Sequence, residues 1–242
     1  MSALRRFLGA AIAFAVLLAL GLALYAVVRK RPQDLPWTKL DLGQPVGAFT
    51  GRKLAGLTDD FARCRQLLDA AGVEYVPLEP AGSDQCRYED AVRLGTGGAR
   101  TIGFAPDRPG VSCPVAAALA MWEWNVLQPA ARRHFGEPVE AIEHLGSYSC
   151  RRLYGRSTGD WSEHATADAL DVAGFRLEDG TRISVLRDWE GEGPEAAFLR
   201  EVRDGACDLF ATVLSPDYNA AHRDHLHLDQ AERGAMGWRA CR

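Results

Sequence analysis

A mixed helix-and-strand domain behind one N-terminal membrane helix is what three features of the sequence predict. The first is an apolar run from Phe7 to Val28, 22 residues without a charge or a proline. The second is the spacing of apolar residues farther along, helical in some segments and alternating in others. The third is "HRDHLHLD", residues 222–229, which holds three of the chain's six histidines. A length of 242 residues suits one sizeable domain with appendages, and 47% apolar with 25% charged residues is ordinary globular composition. A net charge of −4 excludes a general nucleic-acid binder, which would normally be basic.

The apolar run would extend roughly 33 Å as a helix, enough to cross a bilayer core. Arg5 and Arg6 precede it as in a signal sequence, yet it exceeds the usual signal h-region and lacks a clean A-x-A site. An uncleaved signal anchor at 7–28 is therefore expected, with 1–6 in the cytoplasm. Arg29, Lys30 and Arg31 follow the span, so the positive-inside rule does not orient it. The cysteines do. All six (64, 86, 113, 150, 207 and 241) lie beyond the span without a C-x-x-C pair, which reads as disulfides in an oxidising compartment. The expected placement is a single-pass inner-membrane protein with its domain on the periplasmic side. Cys150–Cys207 and Cys64–Cys86 are the expected pairings.

Residues 29–55 mix prolines, glycines and charges without periodicity and read as a tether, leaving 56–242 as the domain. A helix is expected in "LTDDFARCRQLLDAAG", with Thr58 as N-cap and Gly72 as stop. Short strands are expected over 73–105, then a helix over 113–136 kinked at Pro129. "VEAIEHLGSYSC" reads as a strand and loop, and "ALDVAGFRL" with "RISVLRDW" as a hairpin. "PEAAFLREVRDGACDLFATVL" reads as a helix, with Phe198, Leu199, Val202, Ala206, Leu209 and Phe210 at helical spacing, and "DHLHLD" alternates as a strand.

That last alternation carries chemistry. His225 and His227 point to one face while Leu226 and Leu228 point to the other. Two histidines do not hold a catalytic zinc alone, since three protein ligands are usual. "SEHATADALD", residues 162–171, offers the rest. His164 by itself reads as a surface-loop histidine. Asp171, however, opens an apolar strand, where a lone carboxylate is costly to bury and a cation would offset it. The two clusters together point to a metal site.

These residues also carry a resemblance. "SEHATADALD" is similar to the S-x-H-x-x-G-x-A-x-D motif of zinc peptidases in the lysostaphin, D-alanyl-D-alanine peptidase and sonic hedgehog superfamily. Ser162, His164, Ala169 and Asp171 match, and Ala167 stands where glycine is usual. "HRDHLH" resembles the H-x-x-H-x-H arrangement of penicillin-insensitive murein endopeptidases. "GSYSCR", "SEHATADALDVAGF" and "FLREVRDGACDLFATVLSPDYNAAHRDHLHLD" together resemble the bacterial extensin-like C-terminal domain family, over roughly residues 60–242. The resemblance implies an α+β domain, with a small antiparallel sheet carrying the zinc and helices flanking it.

It also implies roles. His164, Asp171 and His227 would be the zinc ligands. His225 would be the general base, with Asp224 as the rival candidate. His222 and Ser162 would line the substrate pocket, and Arg151 matches the position of a substrate-orienting arginine. The expected activity is zinc-dependent hydrolysis of an amide in peptidoglycan cross-links or stem peptides. The alternative is a metal-containing module that binds the cell wall or plays a structural part without catalysis. Neither reading sets an oligomeric state.

Overall fold

α1 (Ser2–Lys30) carries the whole apolar run and stands apart from the domain. Leucines such as Leu17 and Leu20 are exposed around its circumference, so it is apolar on every side. It is long enough to be a membrane span or a signal sequence. The structure, a computed structural model, describes residues 2–234 and 239–242. Residue 1 of the expected cytoplasmic stub and residues 235–238 of the domain lie outside the described residues.

The stretch expected to be a tether is packed instead. Gln33 is already buried, and Leu40, Leu42 and Leu54 belong to the hydrophobic core. A turn at Pro32–Asp34 and the short helix α2 (Thr50–Ala55) are clasped together. The Phe49 N–H donates to the Gln33 carbonyl at 3.1 Å, and the Lys53 ammonium donates to the Gln33 side chain at 3.2 Å. Gly47 permits this approach, since a Cβ there would sit 2.5 Å from the Gln33 carbonyl carbon. Isolated leucines among prolines and glycines show no local period, so only long-range packing reveals them.

α3 (Phe61–Ala70) begins two residues later than expected. Asp60 is its N-cap, accepting from the Arg63 N–H at 3.0 Å, and Thr58 is not. Gly72 does turn the chain out, at φ +70°. β1 (Val73–Pro77), β2 (Ala91–Gly98) and, farther on, β4 (Gly110–Ser112) form a three-stranded antiparallel sheet. β3 (Gly103–Ala105) lies between the last two in sequence and joins the larger sheet.

α4 (Cys113–Trp122) is buried along its whole length. A π-helical turn at Glu123–Leu127 then leads into α5 (Gln128–Phe135). Pro129 lacks the N–H that an unbroken α-helix needs, so the break falls in the turn before it. Trp122 is fully buried and donates to the Val202 carbonyl at 2.9 Å.

The π turn presents Glu123 to Arg100 in the interior. Their charged groups lie 2.9 Å apart, with side chains 1% and 0% exposed. Arg100 also donates to the Gly95 and Ile102 carbonyls, and Glu123 accepts from the Thr101 and Ile102 N–H groups. Removing one member leaves a charge buried and uncompensated. Glu123→Ala is therefore expected to cost about 3–5 kcal/mol of unfolding free energy. Urea denaturation would check it, and a loss under 1 kcal/mol would refute it.

β5 (Val139–Gly146), β6 (Ala169–Leu177) and β7 (Arg182–Ser184) follow, then α6 (Val185–Asp188) and α7 (Pro194–Ala206). The second arm of the expected hairpin is thus three residues long before it turns helical. The helix expected through Leu214 ends at Ala206, and its last residues form β8 (Thr212–Leu214) instead; β9 (Leu226–Asp229) and β10 (Ala240–Cys241) complete the chain. The larger sheet runs β10-β8-β9-β6-β5-β3, with β7 paired to β6. The fold is α+β as expected. The sheet is mixed rather than purely antiparallel, because β10 and β3 join its edges in parallel. Leu170, Val172, Leu226 and Leu228 belong to the core, leaving the other face of β6 and β9 for polar side chains.

All six cysteines are paired: Cys64–Cys113, Cys86–Cys150 and Cys207–Cys241. Neither expected pairing is present. Cys64 on α3 meets the first residue of α4, and Cys86 anchors the loop after β5, contacts that sequence spacing does not encode.

Candidate metal centre

Antiparallel register brings the two motifs together. Asp171 on β6 lies directly opposite His227 on β9, and Ala169 lies opposite Asp229. Asp171, His227 and Asp229 therefore share a face. His164 arrives from a 3₁₀ turn, Glu163–Thr166, just ahead of β6. Ser162 caps that turn by accepting from the His164 N–H at 3.4 Å, and it also lines the cleft. Ala167 closes the turn in the left-handed region at φ +60°, a conformation that suits glycine best. The turn is pinned from below: the Ser112 N–H donates to the Ala167 carbonyl, and the Ser112 hydroxyl donates to Asp168 at 2.5 Å. Burial pushes the Asp168 carboxyl well above its usual range, with the Ser112 hydroxyl opposing in part.

Three donor atoms converge. His164 Nε2 is 3.1 Å from Asp171 Oδ1, His227 Nδ1 is 2.9 Å from the same oxygen, and the two nitrogens are 3.2 Å apart. Two zinc ligands in a tetrahedron of ordinary bond lengths are separated by about 3.3 Å. The trio thus has the dimensions of one tetrahedral face, and it forms a cluster suited to a metal ion.

The outer contacts fix which atoms face inward. His164 Nδ1 meets the Ser147 backbone carbonyl at 2.5 Å, and His227 Nε2 meets Asp229 Oδ2 at 3.0 Å. Both oxygens can only accept, so these ring nitrogens carry the protons and the opposite nitrogens turn their lone pairs to Asp171. Three acceptors this close require a cation among them. Without a metal, a proton serves. Burial by itself would lower the His227 pKa, but hydrogen bonds to Asp171 and Asp229 outweigh it and hold the imidazole at about 9. Burial likewise opposes ionisation of Asp171, yet the two histidines hold its carboxyl well below the usual carboxylate range. The residues present fit a zinc ion.

The pH dependence follows in sign. The raised His227 pKa stabilises the metal-free fold fully below the ordinary histidine pKa and is lost as pH rises through about 9. Zinc needs the same nitrogen deprotonated, so binding at pH 7–8 should release at least one proton, and affinity should climb with pH up to about 9. Calorimetry in buffers of different ionisation enthalpy measures this, and zero proton release would refute it. Asp229→Ala should weaken zinc binding by about 10–100-fold, the usual cost of removing a partner that orients a ligand.

A cleft of about 580 Å³ opens over the trio. His222, His225 and Arg151 line it, and Arg151 has no side-chain partner among the described residues. The His222 ring stands 5.2 Å from that of His225, and burial together with the neighbouring His225 and His227 lowers its pKa to about 4. Asp224 does not line the cleft. It lies behind His225, with Oδ1 2.9 Å from Nδ1, while His225 Nε2 faces inward 3.5 Å from Asp171 Oδ1. Asp229 and the Ser147 carbonyl are outer partners that the sequence motifs do not name. Asp229 was findable, since it continues the strand face of His225 and His227, whereas a backbone acceptor leaves no sequence signal. Tyr154 and Tyr218 form further walls.

No curated protein and no solved structure matches the chain. Residues 62–242 match the family model described as extensin-like protein C-terminus. That span contains the trio, the cleft and all three disulfides, and the protein belongs to the extensin-like C-terminal family.

Proposed function

We propose that this is a zinc peptidase hydrolysing an amide of peptidoglycan cross-links or stem peptides, held by α1 on the periplasmic face of the inner membrane. The observation that carries the reading is the convergence of His164 Nε2, His227 Nδ1 and Asp171 Oδ1, with each histidine turned by an outer acceptor. Three protein ligands opening onto a cleft is the arrangement of catalytic rather than structural zinc. The likeness of "SEHATADALD" to the lysostaphin-type superfamily motif supports the same chemistry. Zinc bound there would acidify a water molecule and polarise the scissile carbonyl.

The chain's own groups do the rest. Asp224 accepts from His225 Nδ1, which leaves the Nε2 lone pair directed into the cleft. His225 is therefore the general base that takes a proton from the attacking water, and Asp224 is its positioning residue rather than a rival base. His222, kept neutral by its lowered pKa, adds no positive charge beside it at neutral pH. The Arg151 guanidinium, without a side-chain partner among the described residues, is available to orient a substrate carboxylate. Three disulfides agree with an oxidising compartment outside the cytoplasm.

Purified full chain incubated with peptidoglycan should release muropeptides, and a chelator should stop the release until zinc is restored. No release from any of a panel of cross-link types, with zinc bound, would refute the peptidase and leave a metal-containing wall-binding module.

A further inference from the structure

The short passage from α1 to the domain leaves no slack. The helical hydrogen bonding of α1 reaches Arg31, whose N–H donates to the Val27 carbonyl, and Gln33 is buried two residues later. Pro32–Asp34 is held on three sides: by the Phe49 N–H on the Gln33 carbonyl, by the Ala48 N–H on Asp34, and by the Lys53 ammonium. Thr38 is tied to the Leu35 carbonyl and to Lys53, and Leu40 enters the core. A chain fixed this way cannot act as a flexible spacer.

Two kinds of side chain remain outward on this passage. Arg29, Lys30 and Arg31 are consecutive cations at the helix exit, and all three are exposed. Trp37, at 75% exposure, has no hydrogen-bonding or ring partner among the described residues. A tryptophan and a basic cluster just past an apolar span are the groups that settle at the boundary between acyl chains and anionic headgroups.

We infer that Arg29, Lys30, Arg31 and Trp37 form a lipid-headgroup contact that seats the domain directly on the bilayer. This rests on the reading of α1 as an uncleaved span. A domain of this length is about 40 Å across, so the cleft stays within that height of the membrane surface. The substrate is then one presented close to the bilayer, and material beyond that height is out of reach.

The test uses the full chain in vesicles of phosphatidylcholine and phosphatidylglycerol. Trp37→Cys supplies a labelling thiol, because all six native cysteines are in disulfides and the side chain it replaces has no partner. A polarity-sensitive dye at this position should be quenched by brominated lipids and protected from an aqueous quencher. The reference is the same dye on Leu186→Cys, at a position that is 58% exposed on α6. Equal aqueous quenching at the two positions, with the protein retained through carbonate washing, would overturn the headgroup contact while α1 stands as a span. Release of the protein by carbonate would overturn both.

Discussion

Asp171→Ala should abolish retained zinc, from one ion per chain to none after dialysis. Asp171 Oδ1 is the atom common to the two shortest contacts of the trio, at 3.1 Å to His164 and 2.9 Å to His227. Its removal leaves two imidazoles, fewer than the three ligands a catalytic zinc normally keeps. It also removes the carboxylate that offsets the ion's charge in a largely buried place. His164→Ala and His227→Ala should behave alike for the first reason. Metal analysis measures the loss directly. Zinc should also raise the thermal midpoint of the wild type and leave that of each variant unmoved, because only a fold that binds the ion gains stability from it. One zinc retained per chain in all three variants would refute the ligand assignment.

Muropeptide release should fall about 10²-fold or more in His225→Ala at unchanged zinc content, the usual scale of a general base. The side chain reaches the rim of the trio without closing it, as its Nε2 lies 3.5 Å from Asp171 Oδ1. Asp224→Asn should lower the rate less than His225→Ala. It loses the charge facing His225 Nδ1 yet keeps an acceptor able to hold the ring. The loss should fall on kcat, with zinc content and KM unchanged. A merely structural Asp224 would shift stability and leave kcat of the folded, zinc-loaded variant in place. Equal rates for wild type and His225→Ala would remove His225 as base.

What the sequence determined by itself was local. The apolar run marked α1, and alternation in "DHLHLD" put His225 and His227 on the face opposite two buried leucines. The spacing in "SEHATADALD" and its resemblance named the members of the trio. Each of these follows from a period of 2 or 3.6, or from residues a few positions apart. Tertiary structure decided what depends on partners far along the chain. The β6–β9 register set Asp171 opposite His227, 56 residues away, and turned a list of candidates into a triangle of atoms. The same folding paired Cys86 with Cys150 and drew Leu40 and Leu42 from a stretch without periodicity into the core. It also buried Arg100 against Glu123 and placed Asp224 behind His225 instead of in the cleft. A side chain's role in such cases is set by which distant group excludes water from it, and one-dimensional spacing carries no record of that.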